Sequence, residues 1–88
     1  MSYAVELSEE ALGQLSRQPE SLHPGIVRAL RRLAANPTRL SHRSVAAFHG
    51  QLAELPIDDT GVWLRITFLY SQDEQVILIT RLQVEFGA

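Results

Sequence analysis

All eight basic side chains of this 88-residue chain are arginine. Two of them interrupt apolar runs: Arg65 in GVWLRITFLY (Gly61 to Tyr70) and Arg81 in QVILITR (Gln75 to Arg81). A guanidinium stays charged at any physiological pH, and its planar fork matches two oxygens of a phosphate or carboxylate. Both positions are therefore candidates for holding an oxyanion. Trp63, two residues before Arg65, can stack on a nucleic-acid base or fill a protein contact. Arg39, His42, Arg43 and His49 crowd the stretch from Thr38 to Gly50. Histidine titrates near neutrality and can carry a proton. The histidines lack the spacing of metal ligands, and Asp58-Asp59 reads as a turn, so neither a metal nor a cofactor is expected.

The strand period decides where these groups point. Side chains alternate across an extended chain. Val62, Leu64, Ile66, Phe68 and Tyr70 then share one side, and Trp63, Arg65, Thr67 and Leu69 share the other. The first set suits a core, which leaves Arg65 on a second face. Arg81 joins that face if the Ser71–Glu74 turn keeps odd positions together on both strands; a shift of one residue separates the two. The plainer reading of Arg65 is an exposed arginine that stacks on Trp63 or pairs with Glu54 or Asp58.

The remaining elements follow from local signals. Tyr3 to Leu7 reads as a short strand. Ser8 is a natural N-cap, Glu9 and Glu10 favour the first turn of a helix, and Ala11, Leu12 and Leu15 give it an apolar face ended by Pro19. A second helix begins between Glu20 and Pro24, with His23 at its start. Ile26, Val27, Leu30, Leu33 and Ala34 form its stripe, Arg28, Arg31 and Arg32 its opposite side, and Asn36-Pro37 its end. Thr38 to Gly50 reads as a loop with one short turn of helix or strand. Leu52 to Ile57 is a strand whose Pro56 suggests an edge or a bulge. Asp58 to Gly61 turns the chain into Val62 to Tyr70, and Gln75 to Arg81 returns antiparallel. The order is β-α-α-β-β-β. The fold class is α+β, a two-helix hairpin packed on one face of a small, mainly antiparallel sheet.

Composition narrows the classes. The length suits a single domain spanning residues 1–88. There is no cysteine, so no disulfide and no thiolate site. No apolar run approaches the ~20 residues of a membrane helix, and MSYAVELSEE lacks the pattern of a signal peptide; a cytoplasmic protein without membrane contact is expected. The net charge of −2 is uneven: residues 17 to 43 hold six arginines against Glu20 alone. An anion-binding face is thus compatible with an acidic total, although arginines on a helix also serve simply as its solvated side.

The order and spacing of several short motifs resemble the RelE/ParE superfamily of toxins from type II toxin–antitoxin systems. YAVELSEEALGQL resembles the family's opening strand, acidic cap and first helix. IVRALRRLAANP resembles its second helix, and GQLAELP the start of its sheet. WLRITFLY resembles its central strand, with an arginine before an aromatic, and ILITRLQVEF its last strand, with an arginine and then a terminal aromatic.

The resemblance implies one of two activities. RelE-like members are endoribonucleases that cut mRNA on the ribosome, and ParE-like members inhibit DNA gyrase by binding. Both are neutralised by a cognate antitoxin. Under the first, Arg65 and Arg81 hold the scissile phosphate, His49 is the candidate base with His42 or the core-side Tyr70 as substitutes, and Arg39, Arg43, Trp63 and Phe86 contact RNA. RelE-like nucleases commonly carry a C-terminal tyrosine and lysines; this chain has Phe86 and no lysine, a reduced catalytic set. Phenylalanine can stack on a base but cannot move a proton. A third outcome is a non-toxic member that only binds a partner. An uncovered Trp63 face also suits an antitoxin segment or a homodimer.

Overall fold

A computed structural model describes residues 3–37, 41–45 and 50–86, with only the backbone described for 41–45 and 50. Its elements are β1 (Ala4–Leu7), α1 (Glu9–Ser16), a single 3-10 turn (Glu20–Leu22), α2 (His23–Ala35), β2 (Ser41–Val45), β3 (Gly50–Pro56), β4 (Val62–Ser71) and β5 (Val76–Phe86). The strands form one sheet in the order β1-β5-β4-β3-β2. Only the β1–β5 pair is parallel. The α+β layout expected from the sequence is present, with one strand more: the stretch read as a loop contributes β2.

The helix ends follow their local chemistry. The Ser8 hydroxyl accepts the Ala11 N–H at 3.1 Å and caps α1. Pro24 stands in the first turn of α2, where its missing N–H costs nothing. The two expected apolar stripes each need one correction. Leu12 and Val27 are exposed, and Ala29 is buried instead. The buried cluster joins Ala11, Ile26, Ala29, Leu30 and Leu33 from the helices to Leu55, Leu64, Ile66, Phe68, Ile77 and Ile79 from the sheet. The helices therefore cover one sheet face and leave the other open.

Pro56 is not on an edge strand, since β3 lies between β2 and β4. It closes β3 beyond Ala53, the last residue registered with β2. The turn that follows is locked by Thr60, whose hydroxyl donates to the Ile57 carbonyl at 2.6 Å and accepts the Val62 N–H at 3.1 Å. Asp58 within it has φ +48°. Its carboxylate takes a double hydrogen bond from Arg28 of α2. This hydrogen bond is the main cause holding Asp58 below its ordinary range.

A carboxyl group with a lowered folded-state pKa leaves the unfolded chain holding more protons, so stability rises with pH in that window. The contribution of Asp58 is complete above its unfolded value of 3.8 and is lost as pH falls through the lower folded value. Asp58→Asn is therefore expected to be less stable than wild type at neutral pH. The gap in urea midpoint should close as the buffer is taken below the usual carboxylate range.

The same turn presses on α2. A Cβ on Gly25 would lie 2.5 Å from Ile57 Cγ2 and 3.0 Å from Asp58 Oδ2. Ile57 is fully buried and β-branched, so it has little room to yield. Gly25→Ala is expected to destabilise by about 1–3 kcal/mol through overpacking, despite alanine's better helix propensity. A thermal melt that matches or exceeds wild type would show that the helix can shift away.

Candidate functional site on the open sheet face

Register decides which side chains share the open face. On β4, Trp63, Arg65, Thr67 and Leu69 alternate with buried Val62, Leu64, Ile66 and Phe68. On β3, Leu52, Glu54 and Pro56 stand opposite Thr67, Arg65 and Trp63. On β5, Arg81, Gln83 and Glu85 stand opposite Thr67, Arg65 and Trp63. Arg65 and Arg81 thus share a face as diagonal neighbours on adjacent strands.

The shared facing of Arg65 and Arg81 does not come from the turn between β4 and β5. Odd positions do not stay together across the turn: Ile77 and Ile79 are buried, opposite Tyr70 and Phe68. Unbroken alternation from Ile79 would send Arg81 into the core. Thr67 pairs with Arg81 and Phe68 with Ile79, so Thr80 is the extra residue of a β-bulge. Past it the parity reverses, Leu82 is buried and Arg81 faces outward.

The bulge is supported from both sides. The Thr80 hydroxyl donates to the Thr67 carbonyl at 3.1 Å. The Ser8 hydroxyl donates to the Thr80 carbonyl at 3.2 Å, and the Ser8 N–H to the Ile79 carbonyl at 2.9 Å. Gln14 Oε1 of α1 accepts the Leu82 N–H at 2.6 Å. β1 is registered with β5 only through Ile79, so these contacts satisfy backbone groups beyond its reach.

Both arginines are already paired. Arg65 Nη1 lies 3.3 Å from Glu85 Oε1, and Nη2 lies 3.6 Å from Glu54 Oε1. Its Nε is shut from solvent and has no hydrogen-bond partner. Arg81 Nη2 lies 3.9 Å from Glu10 Oε1, at the start of α1. Three carboxylates therefore meet two guanidinium groups. Pairing with Glu54 was legible as the plainer reading of Arg65. Glu85 and Glu10 were not, because their approach depends on the β5 register and on where α1 docks. Asp58 pairs with Arg28, not Arg65.

The other candidates divide. Trp63 and Leu69 are exposed on this face at 42% and 37%. Arg43 is registered opposite Leu52, whose own partner is Thr67, so its backbone position belongs to the same alternation class. Phe86 is opposite Val62, a core-side position, and is 82% exposed at the strand's end; the register does not bring it beside Arg65. Tyr70 packs against the core near the rings of Tyr3 and Phe68. His23 is on the far layer, its Nε2 3.0 Å from the Gln18 carbonyl. Arg39 and His49 lie outside the described residues.

Comparison with solved structures puts this geometry in context. A chain of the RelBE2 toxin–antitoxin complex of Mycobacterium tuberculosis superposes with a TM-score of 0.72 at 18% identity, over 94% of this chain and 91% of that one. The fold is that of the RelE toxins. The intact Escherichia coli RelBE complex matches at TM-score 0.67 and 12% identity, over 99% and 98% of the two chains. The Pyrococcus horikoshii RelE–RelB complex matches at 0.61 and 16%, over 94% of each. No family model matches the sequence, and no curated protein does. Among the described residues no helix is long and apolar enough to cross a membrane.

Proposed function

We propose that this RelE-fold chain is the toxin component of a toxin–antitoxin pair and that it cleaves messenger RNA on the ribosome. The observation supporting this most directly is the Thr80 bulge, which gives Arg81 the same facing as Arg65 and Trp63. In this reading the two guanidinium groups carry the extra negative charge that develops on phosphorus when the neighbouring 2′-hydroxyl attacks. His49 accepts the hydroxyl proton, and the 5′-oxygen leaves with a proton from water. Arg39 and Arg43 add charge along the RNA path, and Trp63 stacks on a base. The cognate antitoxin covers the exposed Trp63 and Leu69; a second copy of the chain is the competing occupant of that patch.

A second reading has a specific observation in its favour. Arg65 and Arg81 are each paired with a carboxylate, and no histidine or tyrosine stands beside them among the residues whose side chains are described. That suits a binding inhibitor of DNA gyrase, or a non-toxic partner-binding protein, better than a nuclease.

Induction in a bacterial host separates these. Wild type should arrest growth with new mRNA ends in ribosome-bound codons, and Arg65→Ala or Arg81→Ala, at equal soluble level, should relieve it. Arrest with intact mRNA and gyrase-dependent DNA breaks would move the assignment to the second reading. Growth unaffected by wild type in a permissive host would end the toxin reading.

A further inference from the structure

The two glutamates beside Arg65 lie where an incoming phosphate would have to lie. Glu54 comes from β3, directly opposite Arg65. Glu85 comes from β5, opposite Trp63. They take one Nη each, at 3.6 and 3.3 Å. The side-on edge of the guanidinium is closed because Nε is enclosed. Each Nη nitrogen has a carboxylate within 4 Å, so a phosphate approaching this end of the guanidinium meets two negative groups against one positive. Repulsion is relieved when at least one carboxylate swings away, and both are partly exposed and able to do so.

We propose that Glu54 and Glu85 are specificity-determining residues of this face: they clamp Arg65 as an internal anion and admit RNA only where the bound complex opens the clamp. The proposal rests on the RNA reading given above. It explains how a face whose Arg65 is flanked by two carboxylates can serve a polyanion. Free RNA is repelled, and only a strand delivered in register displaces the glutamates. Arg81, held by Glu10 at 3.9 Å, is the looser of the two cations and the first available to a phosphate.

The test uses the full chain and a short fluorescent single-stranded RNA, with affinity read by anisotropy at low salt. Glu54→Gln/Glu85→Gln is expected to tighten binding about tenfold, the combined effect of two exposed ion pairs and two fewer negative charges. Glu20→Gln/Glu74→Gln makes the same change in net charge away from the face and should gain about twofold or less. Adding Arg65→Ala to the face variant should erase its gain. Equal gains from both pairs of substitutions, or a gain that survives Arg65→Ala, would overturn the clamp. Wild-type binding that Arg65→Ala weakens but neutralisation leaves unchanged would remove the clamp alone and leave the RNA reading standing. Absence of binding by every variant would overturn both. Urea midpoints and the single variants Glu54→Gln and Glu85→Gln, each expected to give part of the gain, guard against a folding artefact.

Discussion

One alanine inserted between Thr80 and Arg81 is expected to cost more stability than any single substitution in the chain, whereas deleting Thr80 is expected to be tolerated. The two changes act in opposite directions on one bulge. With Thr80 removed, Ile79 stays inward, Arg81 outward and Leu82 inward, because the residue lost is the unpaired one. The deletion forfeits the Thr80 hydroxyl bond to the Thr67 carbonyl and the Ser8 hydroxyl bond to the Thr80 carbonyl, each worth about 1 kcal/mol, and some local twist. The insertion reverses every side chain from Arg81 to Phe86. Leu82 would leave the core, losing about 1.5–3 kcal/mol, and the partly buried Val84 would lose a smaller amount. Arg81 and Gln83 would enter it, and an unpaired buried guanidinium costs several kcal/mol. Against a total stability of about 4–13 kcal/mol for a chain of this size, cooperative folding should be lost. Circular dichroism melts of the two variants decide the matter. A sharp transition for the insertion, with wild-type midpoint, would mean that the strand absorbs a wider bulge. Arg81 would then owe its facing to something other than the residue count.

That bulge also marks where the sequence stops being readable. QVILITR looks like one regular run, and regular alternation puts Arg81 with Ile77 and Ile79. Nothing in those seven residues announces an extra residue at Thr80. Its position is set by what lies far away in sequence: Ser8, Gln14 and the cost of burying a guanidinium. By contrast β4 was legible in full, because its alternation is strict and its inward side chains all reach the core. The second helix was legible too, save for Val27 and Ala29, since an arginine-rich side and a leucine stripe fix its rotation to within one residue. β2 was not. SHRSV has no alternation of its own, and its strand exists because β3 presents an edge to pair with.

The same limit applies to the site. Residue types on the open face were visible in the sequence, and so was the pairing of Arg65 with Glu54. The electrostatic balance was not. A guanidinium flanked by glutamates from both neighbouring strands is a property of register, and register requires the turn lengths and the bulge together. Composition suggested a basic middle for the chain, yet the arginines of α2 point to solvent, and Arg28 is held by Asp58. The positive charge of α2 thus does not gather on the face that carries Arg65.

Phe68→Ala is expected to remove about 3–5 kcal/mol, the range for truncating a buried aromatic residue. Phe68 is fully enclosed, lies opposite Ile79 immediately before the bulge, and has its ring 6.2 Å from that of Tyr70. Its partner across the strands, Ile79, is β-branched and has little rotamer freedom to move into the space left. The cavity term therefore adds to the lost transfer energy. In urea the midpoint should fall steeply with little change in slope. Phe68→Leu, which keeps more of the volume, should lose clearly less. Because Phe68 points away from the open face, Arg65 should keep its pairing with Glu54 and Glu85 in the folded fraction. The affinity of folded Phe68→Ala for the RNA probe should then equal that of wild type, at temperatures where both are folded. A loss of affinity there would mean that core packing under the bulge positions the arginines, and that stability and binding on this sheet are not separable.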